Sequence, residues 1–120
     1  MTQVFANNAV SVLSSSVTTS STSMTVANGA GFPALSGDDY FTVTLYAFDT
    51  NGNETGWEIV KVTARTGNVL TVTRAQEGTT ATAWAAGTRT ELRLTASMLN
   101  DVATATASIS SLRALVYAAL

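Results

Sequence analysis

Neither histidine nor cysteine occurs in the 120 residues of this chain. The Ser–His–Asp and Cys–His arrangements and ordinary zinc sites are therefore out of reach. Acid–base chemistry would fall to carboxylates, to Lys61 or to an activated hydroxyl. The carboxylates to weigh are Asp38, Asp39, Asp49, Glu54, Glu58 and Glu77. A glycosidase needs two such groups facing one sugar bond. Most of the six stand at expected turns, where acidic residues serve the backbone, so the chain is expected not to be an enzyme.

Other spacings resolve the same way. Asp49-x-Asn51-x-Asn53 opens like a calcium loop, but Glu54 replaces the glycine of the sixth position and no bidentate Glu stands at the twelfth. A hairpin turn explains these residues with nothing added. Gly29-Ala30-Gly31 lacks both the GxGxxG continuation and a following helix, so no phosphate loop is present. No metal or cofactor is expected. Trp57, Trp84, Tyr40 and Tyr46 are of the types that stack on sugars, although in small β-domains such side chains more often fill the core. Arg74, Glu77, Gly78 and Trp84 are expected to form a structural corner, with Glu77 closing its own turn and Arg74 pairing with it, because a buried turn must satisfy its amides.

The elements that must position these residues follow from alternation and breakers. Residues 1–28 read as a Ser/Thr-rich arm with short strands, over Ala9 to Leu13 and Ser23 to Ala27. Between them Ser14 to Ser23 is interrupted only by Val17, so a free version is a mobile linker and the alternative is a β arm held by a neighbour. Residues 29–94 read as a β-domain. Tyr40 to Phe48 puts Phe41, Val43 and Leu45 on one face and Thr42, Thr44 and Tyr46 on the other. The hairpin at Asp49 to Asn53 returns the chain through Trp57 to Ala64, with Val60 and Val62 opposed to Ile59. Thr66-Gly67-Asn68 turns into Val69 to Arg74, with Leu70 and Val72 inward. Thr88 to Leu94 sets Thr90, Leu92 and Leu94 against Arg89, Glu91 and Arg93. The expected architecture is mainly β with a C-terminal α-helix: a small antiparallel β-sandwich or open barrel followed by a coiled-coil-type helix.

Residues 95–120 read as a C-terminal oligomerisation helix capped by the Thr95 hydroxyl. Its apolar positions are Met98, Val102, Ala105, Ile109, Leu112, Val116 and Ala119, spaced four and three in alternation, a heptad seam. Thr104, Thr106, Ser108, Ser110 and Ser111 are poor helix formers, so the helix must either self-associate or pack along its own β-body. Self-association is favoured by the narrow seam. β-branched residues at Val102, Ile109 and Val116 with Leu112 permit two or three strands, the heptad rule alone leaning to two.

Six basic and eight acidic residues leave a net charge of −2, which argues against nucleic acid or an anionic membrane as partner. Charged residues are only 12% of the chain, against about a quarter in ordinary soluble domains. The uncharged Ser/Thr/Asn surface suits cover by neighbouring subunits. The first residues carry no basic segment followed by an apolar run, and no run of ~20 apolar residues is present to insert in a membrane.

The order from Glu58-Ile59-Val60-Lys61-Val62-Thr63-Ala64-Arg65 through Leu70-Thr71-Val72-Thr73-Arg74-Ala75-Gln76-Glu77-Gly78-Thr79-Thr80-Ala81, Trp84-Ala85-Ala86-Gly87-Thr88-Arg89 and Glu91-Leu92-Arg93-Leu94-Thr95 resembles a module of tail-fibre and related fibre proteins of tailed bacteriophages. Phe32-Pro33-Ala34-Leu35 and Asp39-Tyr40-Phe41-Thr42-Val43-Thr44-Leu45 fit the same module, which spans roughly Gly29 to Leu99, over half the chain. No catalytic motif accompanies it. The resemblance implies a virion structural part, usually trimeric, assembled in the host cytoplasm and contacting other phage proteins of tail, neck or capsid. This chain stops at Leu120, without the long shaft and tip of such fibres, so attachment or decoration is the expected role. The expected function is a non-enzymatic fibre or tail-associated virion component. A trimeric head decoration protein and a carbohydrate-binding module for a host surface glycan are the alternatives, and a polysaccharide-cleaving enzyme is a further contrast.

Overall fold

A computed structural model describes residues 2–119; the side chain of Ala119, and all of Met1 and Leu120, lie outside the described residues. Six strands, β1 (Val10–Val12), β2 (Ser23–Thr25), β3 (Phe41–Phe48), β4 (Glu54–Thr66), β5 (Val69–Gln76) and β6 (Arg89–Glu91), precede one helix, α1 (Ala96–Ala119). They form a single antiparallel sheet in the order β1-β6-β3-β4-β5-β2. The sheet curls until its edges meet at one end, where Leu13 bridges Val26 and the Ala27 amide reaches the Val12 carbonyl at 2.9 Å. The architecture is thus mainly β with a C-terminal helix, in the open-barrel form rather than as a two-sheet sandwich.

Period-two alternation fills the inside of this curl. Phe41, Val43 and Leu45 of β3, Val60 and Val62 of β4, and Leu70 and Val72 of β5 are all buried, each such side chain contributing about 1.5–3 kcal/mol. Phe32 stacks on Phe41 with ring centroids 5.7 Å apart.

The Ser/Thr arm is bound by its own β-domain and is not left loose, which corrects the linker reading. Ala9, Leu13, Val17, Met24 and Val26 enter the same core as the β-domain, so no packing boundary falls between residues 28 and 29. Sparse apolar anchors suffice because the arm's backbone is bound: Val17 and Trp84 exchange amide–carbonyl bonds of 2.8 and 3.1 Å, and the Val72 amide donates to the Thr22 carbonyl at 2.8 Å. The opposite face of β3 is also covered. Thr44 lies between Ile59 and Glu91 in register, whose longer side chains shade it, and Thr42 and Tyr46 are buried too.

The connection after β2 must pass very close to the β4–β5 turn. A Cβ placed on Gly29 would lie 2.3 Å from the Gly67 carbonyl oxygen and 3.1 Å from Asn68 Cα. Both are backbone atoms, so no side chain can swing aside. Gly29→Ala is expected to destabilise the protein by ~1–3 kcal/mol through forced backbone movement, read as a lower urea midpoint.

The final strand is shorter than its alternation suggests. Thr90 is buried and Leu92 packs on the core with its amide on the Ala9 carbonyl at 3.0 Å, but β6 ends at Glu91 and Leu94 is exposed rather than inward. The chain has left the sheet by then to begin α1. The Met98 amide donates to Thr95 Oγ1 at 3.4 Å and the Leu99 amide to the Thr95 carbonyl at 3.1 Å, as an N-cap requires. Beyond Met98, the described side chains of α1 through Ala118 are exposed, and the helix makes no close backbone contact with any strand. A helix of 24 residues is about 36 Å long. Its projection accounts for the 61 × 35 × 26 Å extents of the chain. No helix among the described residues is long and apolar enough to cross a membrane.

Candidate functional site

Three places gather the residues singled out by type. The first is the corner. Glu58 lies on the core face of β4, in phase with Val60 and Val62, and is fully buried. Its two oxygens accept five hydrogen bonds: from Arg74 Nε and Nη2 at 2.8 Å each, from the amides of Ala75 at 3.1 Å and Thr82 at 2.9 Å, and from the Trp84 indole N–H at 2.9 Å. Arg74 in turn donates to the carbonyls of Thr18, Ser21 and Thr82. One carboxylate therefore ties β4, β5, the arm and the connection to β6 together. Arg74 and Trp84 belong to the corner as expected, but Arg74 pairs with Glu58 and not with Glu77, which corrects that pairing. Glu77 instead accepts a hydrogen bond from the Thr95 hydroxyl at 3.1 Å, tying the turn to the start of α1. Gly78 follows at φ +81°, a left-handed position that glycine occupies without steric cost. Ala75 and Glu77, both at φ +54°, hold conformations that cost non-glycine residues ~1–3 kcal/mol and persist only when surroundings enforce them. The bond from the Ala75 amide to Glu58 is part of that enforcement.

The corner is saturated, and its chemistry is that of a clamp. Burial alone would raise the Glu58 pKa, yet Arg74, the Thr82 and Ala75 amides and the Trp84 indole together hold it below the usual carboxylate value. Glu54, Glu91 and Asp49 are also held low: Glu54 mainly by Arg93, Glu91 by Tyr46 and Arg93 against its desolvation, and Asp49 mainly by the Asn53 amide. A glycosidase acid needs the opposite shift. For all four groups the native state binds protons less readily than the unfolded chain, whose carboxylates titrate near ~4. Their stabilisation is complete above that value and is lost as pH falls through the lower native pKa values. Urea midpoints measured downward from neutrality are expected to hold until the medium becomes acidic, then fall steadily.

The second place is the outer face beside the β3–β4 hairpin. The hairpin itself is closed by Asp49, whose Oδ1 accepts the Asn51 and Asn53 amides at 2.9 Å each, with Gly52 at φ +82°. This accounts for the calcium-like spacing, and no group of three or more metal-binding side chains occurs among the described residues. Register sets Tyr46 opposite Trp57 and Phe48 opposite Glu54. Arg93 lies over the Tyr46 ring at 4.3 Å, forks onto Glu54 at 2.8 and 3.1 Å, and donates from Nε to Glu91 at 2.8 Å. Tyr46 Oη donates to Glu91 at 2.7 Å. Burial and this bond to a carboxylate raise the Tyr46 pKa.

The four candidate stacking aromatics are thereby dispersed. Trp84 is buried in the corner, Tyr46 is buried under Arg93, and Tyr40 lies beneath the Lys61 ammonium at 4.6 Å. Only Trp57 is well exposed, with Phe48 as a companion that alternation alone did not single out. Asp38 is exposed in the turn before β3, and Asp39, half-buried, closes that turn through its amide to the Ser36 carbonyl at 3.0 Å.

The third place is α1. Val102, Ile109, Leu112 and Val116 are 57–63% exposed, and Ala105 is exposed between them. Met98 differs at 5%: it closes a cleft of about 180 Å³ shared by Tyr40, Lys61, Gln76, Glu77 and Asp101. The first seam residue thus anchors the helix to its own body, and the open seam begins at Val102. No family model matches this chain, and no curated protein compared with it matches.

Proposed function

We propose that this chain is a non-enzymatic structural component of a bacteriophage virion, a fibre or tail-associated protein that self-associates through α1 in three copies and docks on the particle. The observation that carries self-association is the unpartnered helix. Its seam residues Val102, Ile109, Leu112 and Val116 stand in solvent, on a segment whose Ser and Thr content gives little intrinsic helicity. Such a helix gains most from cover by copies of itself.

The a/d seam itself is narrow, but apolar residues outside it widen the exposed arc beyond what two helices cover. At about 100° per residue, Leu99 and Tyr117 flank one side of the seam and Leu115 the other, and all three are exposed. A third helix covers that breadth, in keeping with the trimer implied by the resemblance of residues 29–99 to phage fibre modules. The virion assignment rests on that resemblance. Sedimentation equilibrium at micromolar concentration tests the assembly: a mass of three chains is expected, and a strict monomer with its helix intact by circular dichroism overturns it. A map of the particle tests the location.

A further inference from the structure

We propose that the outer face beside the β3–β4 hairpin is a binding platform for a neutral saccharide, which stacks on Trp57 and Phe48 and is hydrogen-bonded by Glu54 and Arg93. The two rings are 52% and 51% exposed, yet neither is loose. The Trp57 indole N–H is held by Glu54 Oε1 at 3.1 Å, and Phe48 meets Tyr46 edge-to-face at 5.3 Å between centroids. Fixing a rotamer in advance removes part of the ordering cost of binding.

Polar capacity lies beside these rings. A guanidinium carries five N–H donors. Arg93 spends three on Glu54 and Glu91, and its side chain remains 31% exposed beside a Glu54 side chain that is 36% exposed. An apolar ring face next to spare donors and acceptors matches a pyranose, which offers a C–H face rimmed by hydroxyls. Charge narrows the class further. Two carboxylates surround one guanidinium, so an anionic sugar meets net repulsion and a neutral one does not. A flat protein partner would have to strip water from all three charges, which is costly. Sugar hydroxyls replace that water instead. The inference is independent of self-association through α1.

The two tryptophans make the test direct, because Trp84 is buried and collisional quenching of the native protein by acrylamide reads Trp57. Maltose, cellobiose, lactose and chitobiose serve as probes at millimolar concentration, with sialyllactose as the anionic comparator. At least one neutral disaccharide is expected to shield Trp57 from quenching. Saturation-transfer NMR on Trp57→Ala and Phe48→Ala is expected to show binding weakened ~tenfold or more, equivalent to ~1.4 kcal/mol, with unfolding midpoints unchanged. The proposal is overturned if no neutral probe alters quenching, if binding survives both substitutions, if sialyllactose binds more tightly, or if a neighbouring protein covers the cluster in the particle.

Discussion

Glu58→Gln is expected to destabilise the β-body by ~3–5 kcal/mol, the range for removing one partner of a buried ion pair. The geometry explains why a nearly isosteric change is so costly. One carboxylate oxygen accepts from Arg74 Nη2, the Thr82 amide and the Trp84 indole, and the other accepts from Arg74 Nε and the Ala75 amide. Whichever way a glutamine amide turns, its NH₂ faces at least two donors. Arg74, with a side chain only 7% exposed, would then be a buried cation without its counter-charge. Glu58→Leu combined with Arg74→Leu separates the contributions. Removing both charges relieves the unpaired cation, but it leaves two amides and an indole N–H without an acceptor, at ~1–3 kcal/mol each. The double variant is therefore expected to remain well below wild type in urea denaturation. A loss of under ~1 kcal/mol for Glu58→Gln, as for an exposed pair, would show that the corner is not the clamp described.

That residue also marks where sequence reading reached and where it stopped. Alternation in β4 puts Glu58 in phase with Val60 and Val62, so its inward direction was legible. Its partner was not. Closing the turn at Glu77 on itself leads to an Arg74–Glu77 pair, whereas the contact that forms spans sixteen positions and depends on β4 and β5 being neighbours. A usable signal was Trp84: a buried indole needs an acceptor for its N–H, and Glu58 is the one carboxylate on an inward strand position. The arm failed for a similar reason. Its composition is that of a linker, yet Leu13, Val17 and Met24 suffice as anchors once the β-body supplies acceptors and donors for its backbone. The β3–β4–β5 meander, its hairpin turns and the Thr95 cap were legible because each depends on residues close in sequence. The β1–β6, β3–β6 and β2–β5 pairings join residues distant in the chain and left no local signal.

Ile109→Asp is expected to abolish self-association while leaving the β-body intact, and the magnitudes explain the asymmetry. Within one chain Ile109 is 57% exposed and touches nothing in the core, so an aspartate there is solvated in the monomer and the unfolding midpoint of the β-body should not move. In an assembled seam the same carboxylate is buried without a partner, which costs several kcal/mol per chain. Burying Val102, Ile109, Leu112 and Val116 contributes about 6–12 kcal/mol per chain at ~1.5–3 each. The translational and rotational cost of association is ~4–15 kcal/mol. Losing one apolar contact and adding one buried charge in every copy exceeds the remaining margin. Sedimentation should therefore report a single chain, with reduced helical signal and an unchanged β-sheet melt. Ile109→Leu, which keeps the volume, should retain the oligomer. An unchanged mass for Ile109→Asp would place the contact on another surface of the protein. A mass that falls together with β-body unfolding would mean that the helix stabilises its own domain rather than its neighbours.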